Sequence, residues 1–144
     1  MNSEGESNMV TVEINYEGDL RCQASHGPSK ARFQTDAPTD NHGKGEAFSP
    51  TDLVGTALGT CILTIMGIAA RERDVDLRGA RAVVQKTMAK APVRRIAHLS
   101  VSIHVPITPP KETRAALEQA GLGCPVKASL SEDVEVDVRF QWGS

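Results

Sequence analysis

Two of the three cysteines, Cys61 and Cys124, stand where a thiol could do chemistry, and the third, Cys22, does not. Cys124 lies between a glycine-rich turn, Gly121-Leu122-Gly123, and Pro125, which suits the first position of a helix. That makes it a helix cap, where free backbone N–H groups and the helix dipole stabilise a thiolate. A purely structural cap would more naturally be Ser, Asp or Asn. Cys61 sits in the middle of a long uncharged run and gains nothing from a helix terminus. By position alone it reads more readily as a small packed hydrophobe. Making it reactive takes a guanidinium from elsewhere in the chain, and Arg21, Arg94 and Arg95 are candidates. Glu46 or Asp52 could hold such an arginine, although Asp52 is more naturally a first-turn helix acid. Cys22, on a predicted strand beside Arg21, reads as packing or surface.

Other chemistries find little support. His98 and His104 are spaced for one face of a strand, opposite Leu99 and Val101, without the paired cysteines of a zinc site. His26 and His42 flank a loop. There is no G-x-S-x-G elbow, and Gly43-Lys44-Gly45-Glu46 is too short for a phosphate loop. With 16 basic and 18 acidic residues the net charge is −2, so no polybasic footprint points to nucleic acid. Aromatic residues, at 3%, are too few for stacking platforms.

The element that must carry Cys61 opens at Ser49-Pro50-Thr51-Asp52: a hydroxyl for the cap, a proline with helical φ, an acid for the dipole. From Leu53 to Ala70 no residue is charged, and Arg71-Glu72-Arg73-Asp74 ends the run. A helix apolar on all sides must be buried on all sides. A membrane span is the rival interpretation, but three glycines and three threonines dilute the hydrophobicity and no aromatic belt flanks it. A core helix is therefore expected, with Gly55, Gly59 and Gly67 forming a smooth stripe for another backbone.

Before it, Val10–Tyr16 and Leu20–Ser25 read as a hairpin about Glu17-Gly18-Asp19, Ala31–Thr35 as a third strand, and Asp36–Phe48 as a loop. After it come strand-like stretches Leu77–Met88 and Ile96–Val105, short helices Lys111–Ala120 and Val126–Leu130, and a last strand Val134–Phe140. Met1–Asn8 reads as a frayed tail. The order β-β-β-α-β-β-α-α-β makes a single α+β domain of 144 residues.

The combination Glu46-Ala47-Phe48-Ser49-Pro50-Thr51-Asp52-Leu53, then Ala57-Leu58-Gly59-Thr60-Cys61, then Gly123-Cys124-Pro125-Val126 resembles the OsmC/Ohr family from about Val10 to Phe140. The resemblance implies an intertwined homodimer with long cysteine-bearing helices at its centre and curved antiparallel sheets around them. It also implies a thiol peroxidase for organic hydroperoxides, with Cys61 peroxidatic, Cys124 resolving and the site at the subunit interface. Family members with well-defined peroxidase sites carry Asn-Pro-Glu before this helix, and here the glutamate position is Thr51, so Glu46 or, second, Asp52 would substitute. The family's arginine comes from the first hairpin turn, and here Arg21 stands nearest.

The function expected is thus reduction of an organic hydroperoxide, with a dithiol reductant closing the cycle and no metal or cofactor required. Scattered cysteines without a signal peptide suggest a reducing, cytoplasmic setting, with neither nucleic acid nor membrane as partner. Two other functions keep the same fold. One is binding of a hydrophobic small molecule or redox sensing without efficient turnover, and the other is a structural dimer with inert thiols.

Overall fold

The computed structural model describes residues 9–143, so the tail expected at Met1–Asn8 lies outside the described residues. The protein is α+β, and its elements follow the expected order. It divides into two compact units, one ending at Leu53 and the other beginning at Val54.

The first unit is a three-stranded antiparallel sheet ordered β1 (Val12–Gly18), β2 (Arg21–His26) and β3 (Arg32–Asp36). Gly18, Asp19 and Leu20 all take positive φ in the tight β1–β2 turn, which is why a glycine opens it. Alternation places Val12, Ile14 and Tyr16 on one face, and the register aligns Ile14 with Ala24 and Ala24 with Phe33. That face is largely bare: Ile14 is 62% exposed and Tyr16 66%. At the end of the unit the Ser49 N–H donates to Asp52 Oδ2 at 2.9 Å and the Asp52 N–H donates back to Ser49 Oγ at 3.1 Å. This reciprocal cap starts helix α1 (Pro50–Arg71) and assigns Asp52 to the helix terminus.

In the second unit α1 packs on a sheet ordered β4 (Arg81–Ala89), β5 (Arg95–Val105) and β6 (Glu135–Trp142). Helices α2 (Lys111–Leu122) and α3 (Pro125–Ser129) lie between β5 and β6 in the chain. Here one pairing departs from the antiparallel expectation: β6 runs parallel to β5. A crossover carrying two helices returns the chain to the same end of the sheet, which a hairpin cannot do. The core joins Leu58, Ile62 and Met66 of α1 to Leu99, Val101, Ile103 and Val105 of β5 and Leu117 of α2. Each such side chain contributes about 1.5–3 kcal/mol by leaving water.

Two expectations for α1 change in the structure. Gly55 and Gly59 meet side chains rather than a second backbone; a Cβ on Gly59 would stand 2.9 Å from Val84 Cγ2, whereas Gly67 faces open space. Within one chain the helix is not buried all round. Thr60, Thr64 and Ile68 form an exposed row, and Ile68 is 52% exposed. The Thr60 and Thr64 hydroxyls donate back to the carbonyls of Thr56 and Thr60 at 2.9 and 2.8 Å. With their protons satisfied internally, both threonines can meet an apolar surface. By length and composition alone α1 could cross a membrane, with a mean hydropathy of 2.0, but Leu58, Ile62 and Met66 are fully buried against the protein's own sheet.

Candidate active site

Cys61 and Cys124 are neighbours in the second unit, close enough for Cys61 to act on the Cys124 thiol. Cys61 is half-buried on the middle of α1, and Cys124 is buried in the core at the start of α3. The meeting depends on a close approach of α2 to α1. A Cβ on Gly121 would stand 2.9 Å from Met66 Cγ and 3.1 Å from Ile62 Cγ2, so only glycine lets the end of α2 settle there. Three residues later the chain delivers Cys124. Gly121 is therefore a packed contact.

Cys124 is the N-cap of α3, as its sequence context predicts, and the Lys127 N–H donates to its Sγ at 3.3 Å. The expected consequence, a stabilised thiolate, does not follow. Burial pushes the Cys124 thiol above its ordinary pKa, and this outweighs the Lys127 N–H, which acts in the opposite direction. The neighbouring Cys61 adds to the rise, because a proton on Cys124 can be donated to the other sulfur.

Arg21 and Glu46 belong to the first unit, where the two side chains form an ion pair. A third residue, absent from the sequence-based candidates, organises them. Asp36 is 1% exposed, accepts the Glu46 backbone N–H at 3.0 Å and lies 3.6 Å from the Arg21 guanidinium. The Glu46 N–H, above all, holds the Asp36 carboxyl below the usual carboxylate range against the opposing effect of burial, and Arg21 adds to the lowering. Register offers the signal that could have found it, since Arg21 on β2 stands directly opposite Asp36 on β3. The loop between them and the helix is tightly wound: a Cβ on Gly43 would fall 1.8 Å from the Ala37 carbonyl oxygen. Asp36 and this loop thus hold Arg21 and Glu46 as one preorganised group.

The remaining candidates lie elsewhere. Arg95 donates to the Asp133 carbonyl at 3.4 Å, tying the start of β5 to the approach of β6. His98 and His104 occupy the sheet face opposite Leu99 and Val101, and His98 Nε2 pairs with Asp137 Oδ2 at 2.9 Å. Cys22 is half-buried in β2, opposite Tyr16.

Comparison with known proteins agrees with this architecture. The family model described as OsmC-like protein matches residues 43–139. Among solved structures, a Psychrobacter arcticus 273-4 protein, named provisionally as an osmotic stress induced and detoxification response protein, is 42% identical. It aligns over 93% of this chain and 97% of its own, with a TM-score of 0.87. An organic hydroperoxide resistance protein OsmC from Legionella pneumophila shares the fold at 13% identity, covering 92% and 96% of the two chains with a TM-score of 0.74. A further organic hydroperoxide resistance protein, from Elizabethkingia anophelis, does so at 11% identity over 93% and 96%, also with a TM-score of 0.74. No curated protein matches the sequence. The chain belongs to the OsmC-like family, which includes organic hydroperoxide resistance proteins.

Proposed function

We propose that this protein is a cytoplasmic thiol peroxidase for organic hydroperoxides, working as a homodimer of single-domain chains. The observation that carries the proposal is the pairing of Cys61 with a buried Cys124. In this scheme the Cys61 thiolate attacks the terminal oxygen of the hydroperoxide. The O–O bond breaks, the alkoxide leaves and takes a proton to become the alcohol, and Cys61 becomes a sulfenic acid. The Cys124 sulfur then attacks Cys61, a disulfide forms and water departs. An external dithiol reopens the bond by exchange, becoming a disulfide itself.

Arg21 is the proposed activating cation, with Glu46 as its partner, in the role that the glutamate at the Thr51 position and the hairpin arginine fill elsewhere in the family. A cation close to a thiol lowers its pKa by about one unit or more. Arg21→Ala should therefore slow alkylation of Cys61 roughly tenfold at neutral pH. An unchanged alkylation rate would exclude Arg21 from the role.

The homodimer is supported by two uncharged surfaces that water covers poorly: the exposed row of α1 and the bare face of the first sheet. Light scattering at micromolar concentration should give twice the chain mass of 15.4 kDa. A stable monomer would remove the dimer from the proposal.

A groove of about 290 Å³ lined by Leu63, Ala82, Val84 and Gly59, with Thr56 and Thr60 at its side, favours a second function, retention of a small hydrophobic molecule. The two separate cleanly. Consumption of an alkyl hydroperoxide with a dithiol donor supports the peroxidase, and retention of an apolar ligand without turnover supports the binding protein.

A further inference from the structure

On the face of the second sheet that turns away from the core, one row of side chains crosses all three strands. Arg81 of β4 stands opposite His104 of β5, and His104 stands opposite Gln141 of β6. Side chains at such positions sit about 5 Å apart on one face. Together they line a recess of about 290 Å³ at the end of the sheet. Its rim is made of backbone. Gly79 has φ of +90° and a Cβ there would stand 3.3 Å from Pro106 Cγ; Gly143 has φ of +88° and a Cβ would stand 2.9 Å from Thr108 Oγ1. The Gly143 N–H is shared between the Val105 and Ile107 carbonyls at 2.8 and 3.1 Å, which fixes the rim in place. The recess is therefore preformed and does not depend on mobile side chains for its shape.

Its chemistry is that of a donor set without an acid. A guanidinium has only donors, the imidazole and the carboxamide each offer N–H groups, and no carboxylate lines the recess. Among the described residues none of the three side chains has a hydrogen-bond or ion-pair partner. The acids of this face are engaged or distant. Asp137 is taken by His98 at 2.9 Å and by Arg139 at 3.5 Å, and Glu135 stands at the far end of β6, opposite His98. On this face the row of Val83, Ser102 and Arg139 lies between the neutralised Asp137 and the row of Arg81. A solvated strand charge would need neither the glycine rim nor the aligned donors.

We propose that this recess binds a small oxyanion, a phosphate or carboxylate group gripped by the fork of Arg81 and oriented by His104 and Gln141. The site is separate from the thiol pair and needs nothing from it.

The test uses the full chain at constant ionic strength, titrated in parallel with inorganic phosphate and with acetate. Backbone amide shifts of Gly79 and Gly143 and the ring shifts of His104 are followed by NMR. Saturable shifts with phosphate alone assign a phosphate group, and saturable shifts with both anions assign the broader oxyanion class. In either case Arg81→Gln should weaken binding roughly tenfold or more, because a charge-assisted pair is lost. Arg81→Lys should recover part of it through charge without the fork. Arg139→Gln, on the same face but outside the recess, should change it less than about twofold. Shifts that rise linearly without saturating would overturn the site, as would equal binding in wild type and Arg81→Gln, or an equal loss in Arg139→Gln.

Discussion

Cys61→Ser is expected to abolish hydroperoxide consumption, whereas Cys124→Ser should still complete one stoichiometric reduction. A serine hydroxyl is not ionised at neutral pH and cannot become a sulfenic acid, so nothing replaces Cys61. Cys124 enters only afterwards. Burial pushes its pKa up, and Cys61 is its neighbour. Without it, the Cys61 sulfenic acid should persist long enough for dimedone to trap, and excess peroxide should drive it to the sulfinic state. Cys22→Ser should alter neither step. Mass spectrometry after one equivalent of peroxide reads the difference directly. Wild type should lose two hydrogen masses and yield a Cys61–Cys124 crosslinked peptide. Equal activity in wild type and Cys61→Ser would eliminate the peroxidase proposal.

Gly121→Val should damage both stability and disulfide closure, although residue 121 bears no chemistry of its own. Its missing side chain is what lets α2 approach Ile62 and Met66, with clearances of 3.1 and 2.9 Å to an added Cβ. Valine adds two further carbons beyond that Cβ, and overpacking of this kind costs about 1–3 kcal/mol. The end of α2 must move away from α1, and Cys124 is carried with it. We expect a melting temperature lower by about 5 °C or more, together with peroxide-induced crosslinking slower than in wild type. A variant that lost stability but kept the wild-type crosslinking rate would show that the thiol geometry is set by α3 alone. Gly123→Ala is the matched control. Residue 123 is exposed, and an added Cβ would come no closer than 3.5 Å to any neighbouring atom.

Much of this molecule is legible in local sequence, because local rules act over one helical turn or one strand pleat. The cap at Ser49 and Asp52 follows from a hydroxyl, a proline and an acid within four residues. The alternation of Leu99, Val101, Ile103 and Val105 dictates which face of β5 is buried, and it leaves His98 and His104 on the other. Cys124 as an N-cap can be read from Gly123 before it and Pro125 after it. The order of elements, and the family that shares their cysteine pattern, rest on signals of the same short range.

Tertiary structure decided whatever depends on residues far apart in the chain. Cys61 and Cys124, about sixty residues apart, meet because Gly121 admits α2 against α1. No local pattern encodes that clearance. Asp36 looks like the first residue of a loop until strand register sets it opposite Arg21. The direction of β6 was set by the crossover, since a strand's own alternation is the same whether it pairs parallel or antiparallel. The protonation of Cys124 turned on depth: an N-cap and a buried thiol push its pKa in opposite directions, and only packing determines that burial prevails.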